Sequence, residues 1–288
     1  MIYTIKNDFL TVEVNDFGGE LYSIKKNGQD YLHNGDERFW AERSPILFPI
    51  CGRLFKGYYT YKGGRYDLPT HGFARTSPFT VVTKTDTKIT LSLKSDEKTK
   101  TVYPFDFELL VTYQLNGNSI TTTFSVICLG EELYFSIGAH PGFKLPIDGN
   151  GELSDCYIEF EDLSTAKMVN LSKNNLCLGN DVLFENGKSN LINSTHPLLN
   201  DGSIFLYDTP KSVSLKSTKT NTVIRVDFND FNYIGFWHTD NRSPFICIEP
   251  WLGLPSFENT ICDMENKKGN LLLKKDQIHT TVYTITIE

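Results

Sequence analysis

The feature that most constrains how this chain can fold is an alternation of polar and apolar residues with a period of two. It recurs from one end of the sequence to the other, at residues 11–14, 88–94, 119–126, 212–216, 223–228 and 281–287. Successive side chains of a strand point to opposite faces, so this alternation is typical of antiparallel sheet with one face on a core and the other in water. The chain is therefore predicted to be all-β.

Turn signals lie between these runs. The pairs Asn27-Gly28, Gly63-Gly64 and Asn116-Gly117 supply residues that tolerate positive φ, and residues 113–120 form the clearest hairpin. Residues 96–102 favour a short helix, and no stretch has the periodicity of an amphipathic helix of three turns. The chain is thus expected to contain many strands, with tight turns between them.

The organisation predicted from these elements is a single domain over residues 1–288. No low-complexity linker divides the sequence and no internal repeat is evident. Residues 161–200 are the least regular stretch, rich in Asn and Ser, and we interpret them as a long connection rather than a domain boundary. The expected architecture is a large antiparallel β-sandwich, with two sheets packed face to face.

The composition supplies a core and argues against several functions. The 20 phenylalanines and 14 tyrosines provide ample bulk. The net charge is -7, from 35 acidic and 28 basic residues with no basic block, so no nucleic-acid partner is expected. No apolar run approaches the roughly 18 residues of a membrane span, and the first residues lack a signal segment. We therefore expect no membrane partner.

Six cysteines are scattered along the chain without a C-x-x-C pair, which gives little support to a zinc site. Several lie inside apolar runs, where a free thiol behaves as a small hydrophobe. A reducing, cytoplasmic location is expected from this usage.

The stretch with the most chemical promise is residues 245–251, FICIEPW. An apolar run leads directly into Glu249, and Pro250 has no N–H with which to continue a ladder, so the strand is expected to stop there. A carboxylate at the end of a core strand loses hydration, which tends to raise its pKa and suits a general base near neutral pH. The alternative is that Glu249 is the first solvated residue after the strand, or is held by an arginine.

A second stretch, residues 135–143, repeats this arrangement around His140. A strand-like run ends in small residues, His140 follows, and Pro141 ends the pairing. A strand thus carries a proton-transfer group to its end at two positions in the sequence. Two such positions indicate a catalytic site more strongly than one. The other histidines, apart from His71, lack such a setting and are interpreted as structural or surface residues.

Three further residues are candidates for binding. Arg53 follows an apolar segment with two prolines and a glycine, and its guanidinium can face a ligand hydroxyl or a carboxylate, or form a buried ion pair. His71 lies between a proline turn and Gly72, on an irregular segment of the kind that often carries binding residues. Asp208 ends the apolar run 203–207, where it could instead form a turn before Thr209-Pro210.

Several common catalytic motifs are missing from the sequence. It contains no G-x-S-x-G elbow, no G-x-x-x-x-G-K-[ST] loop and no G-x-G-x-x-G fingerprint. His71 and His140 are too far apart for a local metal motif, and a two-His, one-Glu site has no support from spacing.

Taken in order, four motifs resemble those of the aldose 1-epimerase (galactose mutarotase) superfamily: residues 52–53 (GR), 71–75 (HGFAR), 138–143 (GAHPGF) and 247–251 (CIEPW). The resemblance extends over nearly the whole chain and is closest to a bacterial branch with a shortened core. The HGFAR motif is shared with hexose-6-phosphate mutarotases.

This resemblance implies a β-sandwich whose concave face holds a sugar, with no cofactor and no metal, in a monomer or homodimer. It implies that Glu249 is the general base at the anomeric hydroxyl and that His140 is the general acid at the ring oxygen. It also implies that His71 and Arg53 bind the sugar near the reacting carbon. Asp208 resembles the aspartate that binds ring hydroxyls, although its flanking sequence departs from the family pattern.

Two questions stay open from the sequence. Arg53, Arg75, Lys56 and Arg65 form a cationic group that could hold a phosphate, so the substrate is either a free hexose or a hexose phosphate, with Arg75 as a binding residue. The alternative to an enzyme is a sugar-binding or sensing protein on the same scaffold, which would need neither Glu249 nor His140. Trp251, Phe73 and Trp237 could stack on a pyranose or belong to the core.

Overall fold

Strands are the dominant regular structure of the computed structural model, which describes residues 1–186, 189–200 and 202–288. In chain order the strands are β1 Ile2–Lys6, β2 Thr11–Asn15, β3 Leu21–Lys26, β4 Gln29–Asp30, β5 Ile46–Leu47, β6 Tyr58–Tyr61, β7 Gly64–Asp67, β8 Thr80–Lys84, β9 Lys88–Lys94, β10 Phe107–Asn116, β11 Ser119–Cys128, β12 Glu132–Phe135, β13 Gly138–Ala139, β14 Gly142–Lys144, β15 Cys156–Glu159, β16 Lys167–Met168, β17 Val182–Leu183, β18 Leu191–Asn193, β19 Ser203–Tyr207, β20 Ser212–Ser217, β21 Ile224–Asp227, β22 Tyr233–Trp237, β23 Phe245–Trp251, β24 Cys262–Asp263, β25 Leu271–Lys274 and β26 Ile278–Ile287. The predicted all-β class is confirmed.

Two large antiparallel sheets dominate the architecture. One has nine strands in the order β18-β15-β20-β21-β26-β11-β10-β9-β8, so that the last strand of the chain lies in its middle. The other has eight strands in the order β17-β16-β19-β22-β23-β13-β5, with β14 also pairing with β23. Smaller sheets are formed by β1–β4, by β12 with β25, and by β24 with β6 and β7. The predicted β-sandwich is thus confirmed.

The core lies between the large sheets and follows from the alternating pattern. Along β10 and β11 the side chains alternate between buried and partly buried positions, as the sequence predicts for strands with one wet face. Apolar residues from both large sheets belong to one continuous buried cluster that extends from Ile5 to Ile287. Burial of this surface is the main contribution to the stability of the fold.

The local predictions for the hairpin and the short helix are confirmed. Asn116 pairs with Ser119, so a two-residue turn joins β10 to β11. Helix α1 spans Glu97–Val102, and the Asp96 side chain accepts a hydrogen bond of 2.7 Å from the Thr99 amide. The remaining helical segments are α2 (Pro197–Asn200) and four 3₁₀ turns at Phe55–Gly57, Ala74–Thr76, Leu153–Asp155 and Met264–Asn266.

The stretch 161–200, which was predicted to be a long connection, has more structure than expected. Strands β16 and β17 extend one edge of the eight-stranded sheet, and β18 extends the nine-stranded sheet, while residues 187 and 188 lie outside the described part. Each of these strands is only two or three residues long. Strands this short are too brief to show a period of two, which is why the sequence pattern missed them.

Strand β23 does not stop at Pro250, so that prediction was wrong. It continues through Trp251, which pairs with Tyr233 on one side and with Gly138 on the other. Ile248 donates to the Pro141 carbonyl and Leu252 donates to the Ile137 carbonyl, so the missing N–H of Pro250 faces the same neighbour between them. That neighbour is interrupted there, because β13 ends at Ala139 and β14 begins at Gly142. A proline is tolerated in this central strand because its partner is also broken.

Two further features concern the cysteines and the helices. All six cysteines are buried and free, as expected for thiols that act as small hydrophobic residues. Within the described residues, every helix is too short or too polar to cross a bilayer.

Candidate active site

A cavity of about 420 Å³ lies on the face of the eight-stranded sheet that points away from the core. This is within the range of small-molecule sites, which is roughly 300–1,000 Å³. Alternation along β23 places Ile246 and Ile248 in the core and leaves Glu249 and Trp251 on the cavity face. The lining residues are Trp40, Glu42, Gly52, Arg53, Thr70, His71, Arg75, His140, Leu171, Asn175, Ser203, Phe205, Trp237, Glu249, Trp251 and Pro255.

Glu249 and His140 meet in this cavity. His140 Nε2 lies 3.2 Å from Glu249 Oε2, and the two residues are 7% and 1% exposed. The break between β13 and β14 places His140 next to Glu249, because both of these short strands pair with β23. Within the described residues, both Glu249 oxygens and His140 Nδ1 lack a hydrogen-bond partner of good geometry. Buried polar atoms without partners indicate a site whose ligand completes the hydrogen bonds.

Burial shifts the two titrating groups in opposite directions. It raises the pKa of the Glu249 carboxyl well above its usual value of 4.5, because the carboxylate has lost its hydration. It lowers the pKa of His140 from 6.5 to about 3 for the same reason, since the imidazolium is the charged form. The site therefore favours the uncharged form of both groups, which is the form with the carboxyl proton on Glu249.

His71 is held by a reciprocal contact with the backbone of Gly52. The His71 amide donates to the Gly52 carbonyl at 2.8 Å, and the Gly52 amide donates to His71 Nδ1 at 3.1 Å. Because Nδ1 accepts, neutral His71 carries its proton on Nε2. Burial, followed by the charges of His140 and Arg75, lowers the pKa of His71 well below 6.5, which keeps the ring neutral. His71 is therefore a donor of fixed orientation in the cavity wall.

The backbone around His71 explains the two glycines of these motifs. Gly72 has a φ of +72°, and a Cβ there would lie 2.2 Å from the Phe48 carbonyl oxygen. Gly52 has a φ of +75°, and a Cβ there would lie 2.5 Å from the Pro255 side chain. Left-handed backbone and this close approach require glycine at both positions. Together the two glycines allow the segments that carry Phe48, Gly52 and Pro255 to pack closely around His71.

Two arginines line the cavity in different electrostatic states. Arg75 Nη1 lies 2.7 Å from Glu42 Oε2, and both partners of this ion pair are cavity residues. Arg53 is exposed, and among the described residues no acidic side chain forms an ion pair with it. Arg53 is thus the cation in this cavity whose charge is available to a ligand.

All three tryptophans of the chain line the cavity. The ring of His140 lies 5.0 Å from Trp40 and 5.6 Å from Trp237, measured between centroids. His33, interpreted as structural, stacks on Trp40 at 5.9 Å, and its Nε2 lies 2.8 Å from the Trp40 carbonyl. Indole rings next to an imidazole and a carboxylate suit an organic ring with an apolar face and polar edges.

Asp208 does not reach the cavity, contrary to the prediction that it binds the ligand. It lies at the end of β19 opposite to Ser203, has a φ of 56°, and forms an ion pair of 3.0 Å with Lys167. Its side chain is 53% exposed. It lies five positions after Ser203 along the chain, or roughly 17 Å along an extended strand. The turn interpretation of Asp208 fits this placement.

Three other expected contributors also lie outside the cavity. Arg65 pairs with Asp67 at 2.8 Å on the surface. Lys56 is exposed and does not line the site. Phe73 is buried among core aromatic residues that include Phe48. The predicted cationic group therefore reduces to Arg53 and the paired Arg75.

Several cavity residues were missed by the sequence analysis, namely Trp40, Glu42, Thr70, Leu171, Asn175, Ser203, Phe205 and Pro255. Phe205 and Ser203 could have been found, because they share a strand face at a spacing of two. Asn175 and Leu171 come from the irregular stretch 161–200, which has no pattern that predicts its path.

One group of donor atoms in the site could bind a cation. His140, Cys247 and Glu249 each offer a ligand atom, all three atoms lie within 4.8 Å of one another, and all three residues are buried. Nitrogen, sulfur and carboxylate oxygen are donors that Zn²⁺ accepts. The same His140 and Glu249 atoms would be those that transfer protons. The absence of a required metal therefore stays a prediction.

The fold and this site define a mutarotase-like β-sandwich with a buried carboxylate–imidazole pair. The aldose 1-epimerase family model matches residues 1–270, and the chain belongs to this family of sugar isomerases. It is 33% identical over 293 aligned positions to the plasmid and chromosomal LacX proteins of Lactococcus lactis subsp. lactis, covering 96% of this chain and 94% of each relative.

Solved structures agree with this assignment. A galactose mutarotase related enzyme from Lactobacillus acidophilus superposes with a TM-score of 0.93 at 33% identity, covering 100% of this chain and 97% of that one. A galactose mutarotase-like protein from Lactobacillus casei superposes with a TM-score of 0.94 at 26% identity, covering 100% of both chains.

Proposed function

We propose that this chain is an aldose 1-epimerase that interconverts the α and β anomers of a hexose. The observation that carries the proposal is the 3.2 Å contact between His140 Nε2 and Glu249 Oε2 on the floor of a cavity lined by indole rings. Ring opening of a hemiacetal needs a base at O1 and an acid at O5 in the same step. A carboxylate and an imidazole that are held in contact supply both.

The proposed reaction has two halves that mirror each other. Glu249 removes the proton from the O1 hydroxyl while His140 donates a proton to O5, and the C1–O5 bond breaks to give the open-chain aldehyde. The aldehyde then rotates about the C1–C2 bond. Closure reverses both transfers: His140 takes the proton from the C5 hydroxyl as its oxygen attacks C1, and Glu249 returns its proton to O1. No proton is gained or lost.

The shared proton of the pair fits this cycle. Ring opening starts from the carboxylate and the imidazolium, and it ends with a neutral carboxyl and a neutral imidazole. Burial favours that second, uncharged state, as the raised pKa of Glu249 and the lowered pKa of His140 indicate. The ion-pair form then depends on hydrogen bonds from the bound sugar, which restore the solvation that both charges lack.

Two further residues are proposed to bind the sugar close to the reacting carbon. His71 presents Nε2–H, because its Nδ1 accepts from Gly52. Its ring lies 5.5 Å from that of His140, so this donor is next to the acid. Arg53 lies in the same wall and can donate to hydroxyl oxygens through several N–H groups. Trp40 and Trp237 are proposed to cover the apolar face of the ring.

A hexose phosphate is a second candidate, and the free charge of Arg53 favours it. A phosphate prefers arginine because the guanidinium can donate two parallel hydrogen bonds. Arg75 was the expected phosphate ligand, but its ion pair with Glu42 already occupies part of its donor capacity. A sugar-binding protein without catalysis is the remaining alternative, and it gives no reason for the buried contact between Glu249 and His140.

The test is the rate at which freshly dissolved α-D-glucose, α-D-galactose and α-D-glucose 6-phosphate approach anomeric equilibrium, followed by NMR. Wild-type protein should accelerate at least one of them, and Glu249→Gln should not. The tryptophan fluorescence of the same samples reports sugar binding, because all three tryptophans line the cavity. Binding without acceleration would support the sensor alternative and overturn the proposed activity.

A further inference from the structure

Two of the polar residues that line the cavity have no assigned role. Asn175 comes from the turn between β16 and β17, and Ser203 begins β19. We propose that Asn175 and Ser203 form an uncharged hydroxyl-binding wall that determines which hexoses are accepted, an inference that rests on the proposed function. Asp208 had been expected in such a role but lies on the surface.

The backbone holds Asn175 firmly in place. The Asn175 amide donates to the Ser172 carbonyl at 2.9 Å, and the Ser172 amide donates to the Leu176 carbonyl at 2.8 Å. The turn is anchored to the segment that carries Arg53, because the Cys177 amide donates to the Ser256 carbonyl at 3.0 Å and the Ser256 amide donates to the Arg53 carbonyl at 2.9 Å. Asn175 has a φ of 56°, a left-handed conformation that asparagine tolerates better than most residues. A side chain placed by such a turn is preorganised for binding.

The carboxamide of Asn175 lies close to the start of β19. Its Oδ1 is 3.9 Å from the position that a Cβ on Gly202 would occupy, and Ser203 follows directly. Within the described residues, neither the Asn175 carboxamide nor the Ser203 hydroxyl forms a hydrogen bond, although both side chains are half-buried. Both can donate and accept, as sugar hydroxyls do, so they are suited to pairs of ring hydroxyls.

The distance from the reacting pair places this wall at the far side of a sugar ring. Ser203 pairs with Trp237 on β22, and Trp237 pairs with Cys247 on β23, two residues from Glu249. Two strand spacings, combined with the offset of two residues along the strand, put the backbone of Ser203 roughly 11–12 Å from that of Glu249. This leaves room for one six-membered ring with a hydrogen bond at each side. A hexose with C1 at Glu249 therefore turns its C3 and C4 hydroxyls towards Asn175 and Ser203.

The wall carries no charge, so its selectivity for sugars depends on hydrogen bonds. An amide and a hydroxyl discriminate by the direction of their hydrogen bonds, and a hydroxyl in the wrong orientation leaves them unpaired. Glucose and galactose differ in the orientation of the C4 hydroxyl. We therefore expect the ratio of kcat/KM between these sugars to depend on Asn175.

The experiment compares kcat/KM for glucose, galactose and 4-deoxyglucose in wild type, Asn175→Gly, Asn175→Asp and Ser203→Ala. Glycine and aspartate are chosen because both tolerate the positive φ at this position. Asn175→Gly should lower kcat/KM for the preferred hexose about 3- to 10-fold, as expected for loss of one or two neutral hydrogen bonds. It should change the value for 4-deoxyglucose by less than about twofold if the C4 hydroxyl is the partner.

Asn174→Ala is the matched control, because Asn174 is in the same turn but bonds to Glu258 outside the cavity. It should keep the wild-type ratio between the sugars. The same loss for every sugar in Asn175→Gly, Asn175→Asp and Ser203→Ala would overturn the inference while the proposed activity stands. If wild type accelerates no sugar, fluorescence titration decides: altered sugar preference in Asn175→Gly supports the wall, and unaltered preference overturns it.

Discussion

The imidazole Nε2 of His140 and the carboxylate Oε2 of Glu249 lie 3.2 Å apart in a setting where neither side chain is solvated. Two groups this close titrate as one unit, and their proton belongs to the pair. The neutral form and the ion-pair form contain the same number of protons and differ only in which partner holds the proton. The pair is therefore proposed to accept one proton and donate another in a single step.

Replacing Glu249 by glutamine should remove the base while keeping the shape of the site. We expect kcat to fall by a factor of about 10²–10⁴, the usual contribution of one positioned proton transfer. Sugar affinity, measured by tryptophan fluorescence, should change little. Glu161→Gln, at an exposed position outside the cavity, is the control and should behave as wild type. Full activity in Glu249→Gln would rule out its assignment as the base.

The pH dependence of kcat/KM should lack the inflection of an ordinary histidine. Burial lowers the pKa of His140 from 6.5 to about 3 and raises that of Glu249, so neither group is expected to titrate at its ordinary pH in the free protein. Activity should fall in strong acid, where the pair takes up a second proton, and in base, where it loses its only one. A limb centred near pH 6.5 would show that His140 titrates as an exposed imidazole.

Replacing Arg53 by alanine should distinguish free from phosphorylated sugars. Arg53 has a free charge, whereas Arg75 is paired with Glu42 at 2.7 Å. If the phosphate binds Arg53, kcat/KM for glucose 6-phosphate should fall at least about tenfold more than that for glucose, since a charged hydrogen bond contributes roughly 1.5–3 kcal/mol. Equal losses for both sugars would remove the phosphate candidate. Arg65→Ala, outside the cavity, is the control.

Stability should depend on the protonation of Glu20. Its pKa rises from 4.5 to about 7, mainly through burial, so the folded chain keeps a proton that the unfolded chain releases. The free energy of unfolding should therefore fall as pH rises from 4.5 to 7 and then level off. Glu20→Gln should abolish this dependence and stabilise the protein at pH 8 by about 1–3 kcal/mol, with partial solvation taken into account.

The hydrogen bond that Glu20 accepts from the Ser44 amide at 3.2 Å can be kept by glutamine. Glu13→Gln is the control, because Glu13 forms a surface ion pair with Lys25. Urea titrations of both variants at pH 5 and pH 8 measure the effect. The same pH dependence in Glu20→Gln as in wild type would contradict the prediction.

Metal removal should leave the activity unchanged, because the proposed proton transfers require only Glu249 and His140. Added Zn²⁺ should inhibit, since His140, Cys247 and Glu249 offer three donors within 4.8 Å of one another and the metal would displace the shared proton. Cys247→Ala should raise the Zn²⁺ concentration needed for inhibition. Loss of activity in EDTA, restored by a metal, would show instead that the cluster holds a required cofactor.

Five of the six residues singled out from the sequence line the cavity. Glu249 and His140 could be found because each follows a strand-like run and precedes a proline, a local pattern that one sequence displays. Their contact could not be found in this way. It depends on β13, β14 and β23 being neighbours, although about 100 residues separate them along the chain.

The failures have equally physical causes. Asp208 was chosen because it follows an apolar run, as Glu249 does. The cavity, however, lies at the other end of β19, where Ser203 is. Which end of a strand faces a site depends on the direction of its neighbours. Asn175 was missed because a turn inside an irregular stretch obtains its position from contacts with Ser256 and Phe205, and no periodicity encodes them.

The central place of β26 in the nine-stranded sheet has a consequence for biosynthesis. This strand, Ile278–Ile287, joins β21 to β11, so the two parts of the sheet stay separate until residues near the end of the sequence have been made. Until then, β11 and β21 each present an unpaired edge that can associate with other chains. A nascent or truncated polypeptide without β26 is therefore expected to depend on chaperones and to be open to proteolysis.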